Sequence, residues 1–204
     1  MAFATMGKIL NVDLSTGGLQ VEAIPDETYR AYLSGTGLAA RILVDRIPAG
    51  ADPLGPDNIL GFVSGLLTGT PSYFTGRWSV VGKSPLTGAW GDANCGGTFA
   101  PAIKRNGFDG IFFRGASETP VYLYVKNGRA ELRDAAHLWG KDTTEAEAML
   151  LAEHGAGARA AVIGPAGERL SLISGVFNDR GRMAARSGLG AVMGSQRLKA
   201  VVLD

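Results

Sequence analysis

The sequence predicts an α+β fold, with about ten short strands, about four or five short helices and no alternating βαβ order. Three observations predict it. Short apolar runs, several of them alternating with polar residues, end in Gly, Pro, Asn or Asp, which marks strands. Most runs are joined by turn-length segments, so neighbouring strands pair as hairpins. Only a few stretches carry the 3.6-residue apolar spacing of a helix, and none is long. With 204 residues and 46% hydrophobic content, the chain can bury a core as one domain, 1–204.

The elements follow in chain order. Residues 7–14 read as a strand, Ser15-Thr16-Gly17-Gly18 as its turn and 19–24 as the return strand. Asp26 is the expected cap of a first short helix, with Tyr29, Tyr32 and Leu33 at helical spacing. A second helix runs from Gly37 to about Ile47, burying Leu38, Ile42 and Leu43. Three prolines and two glycines make 48–57 a loop. Strands are predicted at 59–64, 77–83 and 86–91, and a short helix at 98–106. Strands at 110–114 and 121–126 follow, and Asn127-Gly128 turns the second into 130–133. Thr143 or Thr144 caps a helix to His154 that buries Ala146, Met149 and Leu150. Strands at 160–163 and 170–176, a polar Arg-rich loop at 178–188, a small-residue helix at 188–195 and a strand at 198–203 complete the chain.

Composition excludes several classes. A net charge of +1 with 19% charged residues gives no basic stripe for nucleic acid and no attraction to an anionic membrane. No apolar run approaches the ~18 residues of a membrane span. The first ten residues lack a basic segment followed by a long apolar one, so no secretory leader is expected. Cys95 is the single cysteine, which rules out an internal disulfide and a CxxC metal site and fits a reducing cytoplasm. His137 reads as part of a turn and His154 as a surface residue at a helix end. No HExxH, nucleophile elbow or Ser-His-Asp order is present, so a self-contained hydrolase or zinc enzyme is not expected.

Thirty glycines are the unusual entry in the composition. They fall inside and at the ends of apolar segments, where main chain can approach a ligand closely. Three polar Gly-rich stretches stand out, at 67–77, at 83–97 and at 178–190. In them, hydroxyls and glycine amides gather around the predicted strand ends, and two contain arginine. Exposed amides and guanidiniums together suit phosphate. None has Walker spacing, and Gly96-Gly97-x-x-Ala100 is no dinucleotide fingerprint without a βαβ unit. Each alone reads as ordinary turn chemistry more readily than as a ligand site. Together they describe a domain that can hold a phosphorylated ligand through backbone and arginine.

An ordered set of segments resembles the N-terminal domain of the aldehyde ferredoxin oxidoreductases over nearly the whole chain. The set comprises Gly7 to Gly17, Gly65-Leu66-Leu67-Thr68-Gly69, Gly76-Arg77, Lys83 to Gly88, Ala93-Asn94 and Gly96-Gly97. It continues with Gly107 to Gly110, Pro120 to Val125, Ile163 to Glu168 and Gly188 to Ser195. The resemblance implies two β-sheets forming a base for a tungsten (or molybdenum) bis-molybdopterin, its metal held by pterin sulfurs. It implies a magnesium ion bridging the two pterin phosphates, with Asn94 and the carbonyl of Ala184 near it. Hard oxygen ligands suit that ion. Arg77 corresponds to a phosphate-contacting arginine, Gly96 and Gly97 lie in the same seat, and Arg182 and Arg186 are expected helpers. No residue here is expected to be catalytic. The four cysteines of the family's [4Fe–4S] cluster are absent from this chain, and Cys95 is expected to be a small buried residue beside the ligand.

The implied function is the cofactor-binding domain of a longer enzyme. That enzyme oxidises an aldehyde to a carboxylic acid and passes electrons through the [4Fe–4S] cluster to ferredoxin. Alone, the domain is expected to be inactive. Its expected partners are the remaining domains of the same chain and a second copy in a homo-oligomer. Two alternatives stay open: a related tungsten enzyme reducing an aromatic acyl thioester, and a stand-alone pterin-binding module without catalysis.

Overall fold

The computed structural model describes residues 4–204, so the first three residues of the stretch searched for a leader lie outside it. It contains twelve strands and six helices in an α+β arrangement. One sheet has the order β2-β1-β6-β3-β4-β5, formed by β1 (Lys8–Asp13), β2 (Gly18–Ala23), β3 (Leu60–Ser64), β4 (Trp78–Lys83), β5 (Trp90–Cys95) and β6 (Gly110–Arg114). The other has the order β11-β10-β9-β12-β7-β8, formed by β7 (Val121–Lys126), β8 (Arg129–Asp134), β9 (Arg159–Val162), β10 (Val176–Asn178), β11 (Arg182–Ala184) and β12 (Leu198–Leu203). Hairpin pairing dominates, and each sheet has one parallel pair, β1 with β6 and β7 with β12.

Alternation along the strands sorts side chains into layers. Val12, Phe62, Trp78, Val80 and Phe113 of the first sheet share a core with Leu123, Val125, Val201 and Leu203 of the second. Helices α3 (Phe99–Arg105) and α6 (Leu189–Ser195) fill the space between and pack on both sheets. The opposite face of the first sheet presents Ile9, Val63, Val81 and Phe112 to α1 (Asp26–Tyr32) and α2 (Thr36–Arg46). The outer face of the second packs Ala160 and Val162 against Leu150 of α4 (Thr143–His154). Helix α6 owes its small residues to this crowding. A Cβ on Gly194 would stand 2.0 Å from the Gly167 carbonyl in α5 (Pro165–Glu168). So part of the glycine content serves packing rather than ligand approach.

Several expectations are corrected. The strand expected at 86–91 starts later, at Trp90, because Ser84 Oγ accepts the Leu86 and Thr87 amides and makes that stretch a turn. Residues 170–175 form no strand; Leu170 sits at φ 58° and pairing begins at Val176. The expected loop at 178–188 contains a tight hairpin, in which Asp179, Arg180 and Gly181 turn β10 into β11 with positive φ. Asp26 lies inside α1, whose cap is Pro25, and α4 is capped by Asp142, which accepts the Glu145 amide at 2.8 Å. Glu147 is buried in α4 where Met149, only half-buried, was expected.

His154 is not a surface residue. Its side chain is 3% exposed, stacked on Tyr124 at 4.2 Å between ring centroids, with Nε2 3.1 Å from the Tyr122 hydroxyl. Burial holds its imidazole below the ordinary histidine value, against the opposing pull of Glu153. Burial and the hydrogen bond to Glu153 push the Tyr122 phenol up to about 12.

A carboxylate near the N-terminus ties the first sheet to its helices. Asp109, fully buried, accepts the Met6 and Gly7 amides, the Tyr29 hydroxyl at 2.6 Å and Lys104 Nζ at 2.6 Å. Removing it strands a lysine whose side chain is 4% exposed. Asp109→Ala is therefore expected to cost about 3–5 kcal/mol in urea unfolding; a loss under about 1 kcal/mol would contradict this account.

Because His154 is held neutral when folded and titrates normally near 6.5 when unfolded, protonation favours the unfolded chain. The stabilisation is complete above pH ~6.5 and is lost as pH falls below it. The urea midpoint should fall between pH 7 and pH 5, and fall less in His154→Phe, which keeps the stack without the charge. Equal pH slopes would contradict it.

Candidate functional site

The first sheet ends at β5, an edge strand. The β4–β5 register pairs Trp78 with Cys95 and Ser79 with Asn94. Trp78, Val80, Ala93 and Cys95 turn inward, so Asn94 faces outward and is exposed. Arg77, just before β4, crosses to it: Nε and Nη2 both donate to Asn94 Oδ1, the former at 3.0 Å. Beyond Cys95 the chain turns through Gly96 and Gly97 into α3. Gly97 sits at φ +109°, and a Cβ there would stand 1.9 Å from Asp179 Oδ2. A side chain there would be strained and would have to displace Asp179.

The second sheet closes on the same turn. Arg182 starts β11 and is exposed. Its Nη1 lies 3.4 Å from the point where Gly96 would carry a Cβ, and Arg77 Nη1 lies 3.9 Å from that point. Two guanidiniums, one from each sheet, thus converge over a turn that has no side chain. Two guanidiniums beside bare main chain suit an anion with several oxygens.

The other expected residues are placed differently. Ala184 closes β11 with its side chain fully buried in the core, so only its main chain is available, and its carbonyl lies against Gly175. Arg186 is exposed two residues beyond β11, outside the Arg77–Arg182 contact set. The next residue, Ser187, joins this loop to β5: its hydroxyl donates to the Asp92 carbonyl at 3.1 Å, and its own carbonyl accepts Ser84 Oγ at 2.9 Å. Cys95 is buried, its thiol 3.1 Å from Asn178 Oδ1. Burial pushes that thiol above its ordinary value despite the Gly96 amide and the nearby Arg182 and Arg77, so it stays protonated. Among the described residues, no three His, Cys, Asp or Glu side chains gather as a metal cluster.

Sequence reading gave no individual role to Thr98, Asn178 or Asp179, which hold the turn in place. Asn178 and Asp179 fell within a stretch read as loop, and neither residue type signals a contact with a distant turn. An open cavity of ≈ 450 Å³ adjoins this corner on the side of α4, lined by Gly97, Thr98, Glu147, Asp179 and Arg182 among others, and Arg77, Asn94 and Gly96 are not in its lining. A larger one, ≈ 650 Å³, lies at the opposite edge of the first sheet, beside β2. Its Arg46, Glu22 and Asn11 pair with one another.

Residues 9–204 match the family model described as aldehyde ferredoxin oxidoreductase, N-terminal domain. The chain belongs to this family. It is 45% identical over 99% of its length to a tungsten-containing aldehyde ferredoxin oxidoreductase of Thermococcus kodakarensis, and 43% identical to that of Pyrococcus furiosus. It spans about a third of the length of each, 34%. Among solved structures it superposes on the active-site complex BamBC of benzoyl coenzyme A reductase in complex with 1,5-dienoyl-CoA. The TM-score is 0.96 at 41% identity, covering 98% of this chain and 31% of that one. The two-sheet base expected of an aldehyde ferredoxin oxidoreductase N-terminal domain is the fold observed.

Gly97 offers a direct check on the turn. Gly97→Ala should cost about 1–3 kcal/mol in urea unfolding, because the left-handed backbone is strained and the new methyl displaces Asp179. Unchanged stability would mean that the turn is not held as described.

Proposed function

We propose that this chain is the cofactor seat of a tungsten (or molybdenum) bis-molybdopterin enzyme that oxidises aldehydes to carboxylic acids. Electrons leave through a [4Fe–4S] cluster held elsewhere in the longer protein and pass to ferredoxin. The observation that carries this reading is the convergence of Arg77 and Arg182 on Gly96 in a chain of this family.

The residues present fit the phosphate ends of such a cofactor. Each guanidinium offers paired N–H donors with the fork geometry that phosphate oxygens accept, and Gly96, flanked by both, has no side chain to keep the anion from the main chain. When bound, the bis-pterin metal centre supplies the two-electron redox chemistry. The protein's part is to bind and orient. Arg77, steadied by Asn94, and Arg182 neutralise the phosphates.

A bridging magnesium ion would draw on main-chain oxygen. The Asn94 amide oxygen already accepts from Arg77. The Asp92 carbonyl points off the open side of β5 to meet Ser187. By strand alternation, the Asn94 carbonyl points the same way, toward the side where β11 and Ala184 lie. That carbonyl and the Ala184 carbonyl are the hard oxygens this chain would offer. Arg186 sits close enough in sequence to add positive charge but has no assigned contact.

No group in this chain is assigned a step in the chemistry, so the domain alone is expected to bind without turnover. The substrate, the ferredoxin, a second copy and the remaining domains all belong to the longer protein, in a cytoplasmic setting. No helix among the described residues is long and apolar enough to cross a membrane. The likeness to the benzoyl coenzyme A reductase complex supports a second reading, reduction of an aromatic acyl thioester on the same seat. The aldehyde reading is preferred because it matches the relatives at 43–45% identity.

In the full-length protein, Arg77→Ala and Arg182→Ala should each lower tungsten per protein by about ten-fold, with folding intact by circular dichroism. Full tungsten occupancy in both variants would overturn the seat. Purified parent enzyme loaded with metal that left aldehydes unoxidised would overturn the substrate.

A further inference from the structure

Arg77 directly precedes β4 of the first sheet and Arg182 opens β11 of the second, and no ladder of main-chain hydrogen bonds joins β5 to β11 among the described residues. Side chains must therefore set the distance between the two guanidiniums. At one end of β5, Ser187 does so through the Asp92 carbonyl. At the other end the work falls to Asn178, fully buried at the close of β10, and to its neighbour Asp179. Asn178 Nδ2 donates to the Gly96 carbonyl at 3.2 Å and to Asp179 Oδ2 at 3.0 Å. Asp179 Oδ2 also accepts the Thr98 amide, and its Oδ1 accepts the Thr98 hydroxyl at 2.7 Å.

We infer that Asn178 and Asp179 are positioning residues: they clamp the turn at 96–98 to the β10–β11 hairpin and so fix the span between Arg77 and Arg182. This inference rests on the phosphate-seat reading above. Charge argues for it. A carboxylate beside an anion seat repels the ligand, and its position is explained by the three donors that it gathers from Thr98 and Asn178. Gly97 completes the fit, since the space a side chain would need is taken by Asp179 Oδ2.

The test uses inorganic pyrophosphate as probe, titrated calorimetrically into the 204-residue chain, with hydrogen exchange read at the Thr98 amide. Asp179→Ala should weaken pyrophosphate binding about ten-fold and speed exchange at Thr98 about ten-fold, with core amides of β3 and β12 unchanged. Removing a negative charge would by itself tighten binding, so weakening reports lost geometry. Thr98→Val should behave as a milder form of Asp179→Ala, and Thr98→Ser, which keeps the hydroxyl, should match the parent chain. Equal or tighter binding in Asp179→Ala overturns the clamp. If the parent chain ignores pyrophosphate, or Arg77→Ala and Arg182→Ala bind it unchanged, the seat reading fails. The clamp is then decided by exchange alone, and an unaltered Thr98 amide in Asp179→Ala overturns it.

Discussion

The structure turns on a single steric fact: at the end of β5 the main chain passes where no side chain can be accommodated. At Gly97 a methyl would stand 1.9 Å from a carboxylate oxygen of the other sheet. That proximity lets strands from two separately hydrogen-bonded sheets meet, and it leaves two guanidiniums facing a bare turn. A bulkier residue would displace the side chains of Asp179, Arg182 and Asn178 that meet there. The chemistry proposed for the domain depends on the convergence of Arg77 and Arg182.

The rest of the fold serves to present that corner. Helices α3 and α6 lie between the sheets and set their spacing, and the small residues of α6 permit close contact with α5. The Lys104–Asp109 pair anchors α3 to the first strand from below, with Tyr29 bringing in α1. On the second sheet, the buried pair of Lys199 and Glu168 joins β12 to α5, and Lys199 also donates to the Lys141 carbonyl at 2.9 Å. These charges sit on the rigid layers and not at the anion seat. The seat itself stays open: Arg77, Asn94 and Arg182 are all exposed, and Tyr73 and Phe74 stand free in the loop just before Arg77. A cofactor placed there would lie between this domain and whatever covers it.

Much of this was legible in the sequence, for identifiable reasons. Strands such as Val121–Lys126, closed by Asn127-Gly128, carry alternation and a turn of known type. The α+β class followed from the many short strands. Local pattern failed where a distant contact decided the outcome. Leu86 to Gly88 read as the start of a strand, yet Ser84 captures the Leu86 and Thr87 amides and makes the stretch a turn. Asn178 to Arg182 read as polar loop, because a two-sided hairpin of three-residue strands has too few apolar positions to show a period. Asn178, Asp179 and Thr98 carry no local signature at all, since their partners are some 80 residues away, at separations of 81 to 82. Arg77, Asn94 and Gly97 fall in Gly-rich stretches that composition picks out, but their individual roles came only with the family's motif order.

A structure of the full-length protein with its cofactor bound tests the central claim most directly. The account predicts cofactor phosphate oxygens within about 3 Å of guanidinium nitrogens of both Arg77 and Arg182, above the Gly96–Gly97 turn. Phosphates bound on another face, with those two arginines left facing solvent, would contradict it.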